Sequence, residues 1–494
     1  MKKFLGIEFG STRIKAVLID ETFKVIAQGA HDWENQLVDG IWSYSMDAIE
    51  TGVRDAYAKC AADYVVKFDA PLSQIDAIGI SGMMHGYLAF DEGGNLLVPF
   101  RTWRNVITGE AAAKLSEMFK FNVPQRWSIS HYYQAILNKE EHVGKVRWLT
   151  TLAGFVHYKL CHNNVLGVGE ASGMFPIDPK TGDYNERMLA AFGGDLKSKL
   201  PRVLKAGENG GTLTDEGAKW LDPSGVLKGG SLMAPPEGDA GTGMVATNAV
   251  APKTGNVSAG TSIFAMIVLE EAMKGYYPEI DVVTTPTGHE VAMVHCNNCT
   301  NEINAWVKNI LGGDYKSLFN ESLKGDKDCG GVVVVPFLSG EPVAGANDAC
   351  LKVVRKPESK FTLANFMRAQ IYSAFVSLKL GMDILKKENV VIDSLMGHGG
   401  IFKDKGIAQQ YLADALNTSV TCMSTATEGG PWGMAVLAAY AYKVTSDKLQ
   451  VTNEGLSAFL NEEVFKNAES ETLAPDPEGV AGFNTYAKNF KEAL

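Results

Sequence analysis

Cysteine is scarce here: Cys60, Cys161, Cys296, Cys299, Cys329, Cys350 and Cys422 lie scattered among 494 residues. An odd, irregular set excludes a disulfide scaffold and predicts reduced thiols in a cytoplasmic protein. The single Cys296-Asn297-Asn298-Cys299 lacks the second pair a structural zinc site needs, so buried thiols are expected there. No signal-peptide core follows Met1-Lys2-Lys3-Phe4, and the longest purely apolar stretches, such as Val332–Val335, fall far short of a membrane span. Positive charge is in deficit, with 46 Lys and Arg against 57 Asp and Glu and a net charge of −11. With no local basic cluster, a nucleic-acid groove or an anionic-membrane patch is excluded. Neither GxxxxGK[ST] nor GxGxxG occurs, which removes the phosphate-loop and simple dinucleotide classes.

What is present is ordinary globular composition, 46% hydrophobic and 21% charged, which argues against disorder. The 51 glycines exceed the usual share of about 7%, without a repeat period, and predict many tight turns. At roughly 100–200 residues per domain, the length predicts two or three domains.

The first twenty residues read as a β-hairpin: Phe4–Phe9 and Ile14–Ile19 are β-rich runs joined by Gly10-Ser11-Thr12-Arg13. The same device returns near the midpoint, where Gly255–Ala259 leads through Gly260-Thr261-Ser262 into Ile263–Leu269. Two such starts suggest two domains of like architecture. Alternating segments fill the rest. A helix is expected over Met46–Val66, a strand over Ile75–Ile80, and an amphipathic segment over Ile107–Phe119. In the second half a strand is expected at Val332–Phe337, a helix at Leu363–Leu385 and a strand at Val390–Met396, ahead of Gly397-His398-Gly399-Gly400. The mixture argues for an α/β fold. Asp183–Gly230, polar and aperiodic, is expected to decorate the first domain.

Read alone, each Gly-hydroxyl turn is an ordinary hairpin connection; as a pair, their N–H groups and hydroxyls suit two anion sites clasping a polyphosphate. Asp239 stands in a run of small residues, Glu237–Gly243, that cannot fill a core. It suits either an Asx-type turn or a general base for phosphoryl transfer to a hydroxyl. Pro431, in Glu428–Gly433, is placed to start a helix whose N-terminus faces a nucleotide or merely packs. His85 follows a strand, where ligands commonly meet carboxyl ends, though a structural histidine fits as well.

Taken in order, these segments resemble the FGGY family of carbohydrate kinases, within the actin-like ATPase superfamily. The resemblance rests on Gly6–Asp20, Ile80–Gly86, Trp103-Arg104-Asn105, Lys145–Leu149, Glu170–Gly173, Gly238-Asp239, Gly260–Ser262, Leu338–Pro342, Gly399-Gly400 and Glu428-Gly429. It implies two ribonuclease-H-like domains flanking a central cleft, with boundaries at 1–243 and 244–494, and ATP with Mg²⁺ as the phosphorylating pair. Asp239 falls at the catalytic-base position. Gly10, Ser11 and Thr12 fall at the first phosphate site, Gly260, Thr261 and Ser262 at the second, and Gly399 and Gly400 at the adenosine site. Met84, His85, Trp103 and Asn105 fall on sugar-contacting positions, and Glu8 stands near the magnesium. Four positions depart from the family pattern: Glu8 replaces Asp, Met83 replaces Gln, Asn105 replaces Asp, and Ala240 replaces a polar residue.

The expected activity is therefore phosphorylation of a ketopentose, D-xylulose first and L-ribulose next, or of another sugar or polyol. Alternatives are an actin-like scaffold or chaperone ATPase using the same phosphate turns, and a sugar-binding regulator without catalysis. The expected partner is a small-molecule sugar, with no nucleic acid and no membrane. Dimers occur in the family, so a homodimer is carried by the resemblance alone.

Overall fold

The computed structural model describes residues 1–403, 406–423 and 429–494. Two compact units emerge. The first takes 1–250, 283–290 and a later segment that ends at 467; the second takes 251–282, the chain from 291 to 423, and 468–494.

In the first unit, strands β1 (Lys3–Phe9) and β2 (Arg13–Asp20) form the predicted antiparallel hairpin, Phe9 opposite Ile14, and β3 (Val25–Asp32) continues it. On its other edge β1 pairs in parallel with the strand Ala77–Gly82, Glu8 beside Ser81. The short strands Leu232–Met233 and Glu237–Gly238 both run parallel to Ala77–Gly82, which places Ser81 beside Glu237. Helix α1 (Met46–Phe68) covers one face. The Ser45 side chain accepts the Ala48 N–H at 3.1 Å to start it, and Asp69 in a left-handed conformation ends it. Ile49, Val53 and Tyr57 of α1 meet Ile14, Ile78 and Ile80 of the strands in a closed core.

The helix Gly429–Ser446 covers the same unit's sheet, where Gly6 and Gly79 make room for it. Its Trp432 indole donates to the Phe23 carbonyl at 2.9 Å. Asp183–Gly230 does more than decorate: its Gly211–Thr212 is an edge strand of the main sheet, and it carries the helix Asp215–Leu221.

The second unit repeats the plan. Thr254–Ala259 and Ile263–Val268 form an antiparallel hairpin, and Ser394–His398 lies parallel to the hairpin's first strand, Ser258 beside His398. The helix Leu363–Lys387 supplies Met367, Ile371 and Phe375 to the core, against Val257, Ala265 and Ile267. The strand expected at Val390–Met396 begins later, at Ser394. The reason is local: the Val390 amide turns back to the Leu385 carbonyl and Asn389 is left-handed, so these residues close the preceding helix. Among the described residues, no helix is long and apolar enough to cross a membrane.

Candidate active site

Parallel pairing of three strands in the first unit sets Glu8, Ser81 and Glu237 in one row near their carboxyl ends. Asp239 follows immediately, as the first residue of the helix Asp239–Ala246. Its Oδ1 accepts the Ala240 amide at 2.9 Å and the Met84 amide at 3.4 Å, so backbone from two elements fixes the carboxylate. Gly238 is required just before it, because a Cβ there would run into Met84 and the Glu170 carboxyl. Asp239 remains open to solvent, which tempers its desolvation. Desolvation nonetheless raises its pKa, against the lowering pull of the Met84 and Ala240 amides and of the Arg126 charge.

Met84 and His85 are buried beside it. His85 adopts a left-handed backbone (φ 72), and its Nδ1 donates to the Gly173 carbonyl at 2.9 Å, which leaves Nε2 as an acceptor. Burial, aided by the Arg126 charge, pushes the His85 pKa down to about 3, so the ring is neutral. Its ring is stacked with that of Trp127 at 6.2 Å. Trp103 is 38% exposed, the open side chain of its turn. Asn105 is committed elsewhere: its Oδ1 accepts the Trp42 amide at 2.9 Å and its Nδ2 donates to the Trp42 and Thr102 carbonyls at 2.8 and 2.9 Å. Met83, at the position of the family's Gln, is packed in the core with its sulfur 3.9 Å from the Tyr44 hydroxyl.

Glu8 is half-buried beside the helix start at Gly430, where a Cβ would strike its carboxylate. Burial first, and the Asp239 charge second, push its pKa up to about 7, against Lys15. The Gly10-Ser11-Thr12 bend closes through a Gly10 N–H to Arg13 carbonyl bond of 3.0 Å, with Ser11 and Thr12 exposed. Two aromatic donors pin it: the Trp33 indole to the Gly10 carbonyl at 2.8 Å and the Tyr44 hydroxyl to the Ser11 carbonyl at 2.6 Å. Their rings stack at 3.9 Å. The sequence marks neither aromatic nor Arg126, and Glu170 and Glu237 stand out in it only within the segments Glu170–Gly173 and Glu237–Gly243, without a role of their own.

Glu237 and Glu170 are fully enclosed. The Glu237 carboxylate accepts the Glu170 amide at 3.0 Å and the Gly169 amide at 3.4 Å, yet burial pushes its pKa up from 4.5 to about 8; burial drives Glu170 upward too. Between pH 4.5 and 8 the folded protein thus holds a proton that the unfolded chain has released, so stability falls as pH rises through that window. One such proton is worth up to about 1.4 kcal/mol per pH unit. Glu237→Gln removes the titrating proton and is expected to flatten this slope, at a pH-independent cost, because its single carbonyl oxygen can accept only one of the two amides that now bond Oε1 and Oε2 separately. Thermal melts of both proteins from pH 5 to 9 check it, and an unchanged slope refutes it.

In the second unit, the Gly260-Thr261-Ser262 bend closes through the Gly260 amide and the Ser262 carbonyl at 2.9 Å. The Gly260 carbonyl accepts the Thr300 amide at 3.2 Å and the Thr300 hydroxyl at 2.7 Å. Gly399, with φ 118, packs directly on the Ala259 backbone, where no Cβ fits. Gly260 and Gly400 consequently line one cavity of about 480 Å³, within the roughly 300–1,000 Å³ range of small-molecule sites. Thr300, Asn304, Lys308, Tyr315 and Lys403 are among its other lining residues. A depression of similar size near Arg355 and Glu492 contains none of the expected residues. Cys296 and Cys299 are buried free thiols, pushed up by burial. Between them, Asn298 takes the Leu338 and Ser339 amides on its Oδ1 at 2.9 and 3.3 Å and donates its Nδ2 to Glu341 at 3.1 Å, which holds the Leu338–Pro342 turn. Glu428 lies outside the described residues. Among the described residues, no three His, Cys, Asp or Glu side chains are grouped to hold a metal.

The N-terminal domain of the FGGY family of carbohydrate kinases matches residues 3–226, and the C-terminal domain of that family matches residues 255–442. A xylulose kinase of Haemophilus influenzae is 22% identical over 473 residues, covering 89% of this chain and 90% of that protein. A crystal structure described as a xyloylose kinase from Brucella ovis superposes with a TM-score of 0.82 at 18% identity, covering 100% of this chain and 98% of that one. Gluconate kinase from Lactobacillus acidophilus superposes with a TM-score of 0.81 at 18% identity, covering 100% and 97%. At these identities the structural likeness establishes the fold.

Proposed function

The chain belongs to the FGGY family of carbohydrate kinases and is an ATP-dependent kinase of a small-molecule sugar; on that premise we propose that it phosphorylates a ketopentose, D-xylulose first and L-ribulose next, with Asp239 as general base. This sets aside the scaffold and chaperone alternatives. The observation that carries the reading is the Asp239 carboxylate, held by two backbone amides beside Met84 and His85 and open to solvent. The xylulose kinase relative is consistent with the choice of sugar.

In this reading a terminal sugar hydroxyl attacks the γ-phosphorus, the bond to the diphosphate breaks, and the hydroxyl proton passes to Asp239. A carboxylate whose pKa lies above the ordinary range is the better base near neutrality. The neutral His85 offers Nε2 to a sugar hydroxyl, Met84 forms an apolar floor, and Trp103 offers an open aromatic face. Asn105 shapes the turn that presents Trp103. Gly10, Ser11 and Thr12 bind phosphate in the first unit, and Gly260, Thr261 and Ser262 do so in the second, where Gly399 and Gly400 border the nucleoside. Glu8 fits magnesium: a half-buried carboxylate near a second anion is the group in this unit that would hold a divalent cation. When bound, Mg²⁺ would neutralise charge on the β- and γ-phosphates.

A coupled-enzyme screen over ketopentoses, ketohexoses, glycerol and gluconate tests the proposal. D-xylulose is expected to give the highest kcat/KM, at least about tenfold above glycerol and gluconate, because a site built around particular hydroxyls penalises analogues lacking them. Gluconate or glycerol as the leading substrate would overturn it.

A further inference from the structure

The 480 Å³ cavity of the second unit has a polar wall made mainly of hydrogen-bond donors. Asn304 comes from the helix Asn301–Asn309, and Tyr315 opens the helix Tyr315–Ser322. The Tyr315 hydroxyl donates to Asn304 Oδ1 at 2.7 Å. That bond occupies the carbonyl end of the amide, and the Nδ2 hydrogens have no partner among the described residues. Lys308 stands one helical turn after Asn304 and lines the same cavity, as does Lys403. Neither ammonium is ion-paired among the described residues. At the other end, the Gly260 carbonyl is already occupied by two donors from Thr300. Ile303 and Ile401 supply apolar surface for a flat ring.

Purine chemistry separates on this wall. Adenine places an amino donor beside N7, whereas a 6-oxopurine presents O6 and N7 as two adjacent acceptors, the pattern that amide and ammonium donors satisfy. Adenine keeps one foothold, the lone pair of the Tyr315 oxygen. We propose that this cavity takes 6-oxopurine nucleotides, so that ITP and GTP serve as phosphoryl donors alongside ATP, with Asn304 as the residue that sets the preference. The phosphoryl step is that of the kinase reading and rests on it: the γ-phosphoryl leaves a nucleoside diphosphate, joins the sugar oxygen, and the hydroxyl proton goes to Asp239.

Equilibrium binding of IDP, GDP, ADP and CDP to the full chain tests the cavity without any sugar. IDP and ADP are expected to bind within about threefold of each other, and CDP, whose smaller ring leaves the apolar walls unfilled, at least about tenfold more weakly. Asn304→Asp replaces the donor with an acceptor and is expected to weaken IDP at least about tenfold while moving ADP little. Tyr315→Phe releases the amide to rotate and is expected to weaken IDP about threefold. IDP binding more than tenfold weaker than ADP in the unaltered protein, or equal losses for both in Asn304→Asp, would overturn the proposal. In turnover, ITP is expected to reach within about threefold of the kcat/KM of ATP. Binding as expected with no phosphorylation of any ketopentose would uphold the cavity assignment and defeat the ketopentose reading.

Discussion

Asp239→Asn is expected to lower kcat by about 10²- to 10⁴-fold, the contribution of a positioned general base, while leaving sugar and nucleotide affinity nearly unchanged. The amide retains an oxygen for the Ala240 and Met84 N–H groups, which now sit 2.9 and 3.4 Å from Oδ1, so the helix start and the Met84 loop keep their geometry. What is lost is the capacity to take a proton. Among the described residues, Glu237 is tied to two backbone amides, burial drives the pKa of the enclosed Glu170 upward, and His85 has its pKa pushed down to about 3. The pH profile adds a second readout. Because burial raises the Asp239 pKa above 3.8, activity is expected to decline on acidification from a point above the ordinary aspartate range, and the residual activity of the variant should lack that limb. Turnover within about tenfold of the unaltered enzyme would remove Asp239 from the base position.

The parts of this site that were legible in the sequence are the contiguous ones. Both Gly-hydroxyl bends lie between β-rich runs and form the expected hairpins, and the Met84-His85 loop follows a buried strand that runs Ala77–Gly82, two residues later than the expected Ile75–Ile80. Helix α1 runs two residues past the expected end at Val66, to a left-handed Asp69. Register between distant parallel strands is different. The row of Glu8, Ser81 and Glu237 depends on pairing segments separated by tens to more than a hundred residues, and no local pattern encodes which residue stands beside which. Burial of acids is equally opaque: the segments Glu170–Gly173 and Glu237–Gly243 are legible, but nothing local shows that Glu170 is enclosed or that the Gly167 and Gly169 backbones close on the Glu237 carboxyl. Asn105 shows the reverse case, a residue in a recognisable motif whose polar atoms are all spent on backbone. The helix Gly429–Ser446 carries apolar residues on most of its surface, so its hydropathy marks it as buried without saying which sheet it covers.

That helix provides the largest expected effect on stability. Gly6 lies in the middle of β1, itself flanked by β2 and the strand Ala77–Gly82, so the backbone beneath it cannot yield without disturbing two ladders. A Cβ at this position would coincide with the Pro431 carbonyl and press on the Ala435 amide, both backbone atoms of the covering helix. Gly6→Ala must therefore lift the helix, loosening Met434 from its seat over Gly79 and the Trp432 bond to Phe23. Overpacking of this kind costs about 3 kcal/mol or more when neither side can give, on the order of a 5–10 °C fall in Tm. Gly243→Ala serves as the contrast. It lies inside the helix Asp239–Ala246, its added methyl meets nothing within 4 Å, and alanine in a helix interior stabilises by roughly 0.5–1 kcal/mol. Lifting the Gly429–Ser446 helix also carries Gly430 away from Glu8, so Gly6→Ala is expected to lose activity below its melting temperature as well. A melt of Gly6→Ala within 1 °C of the unaltered protein would mean that the helix does not rest on β1 as described.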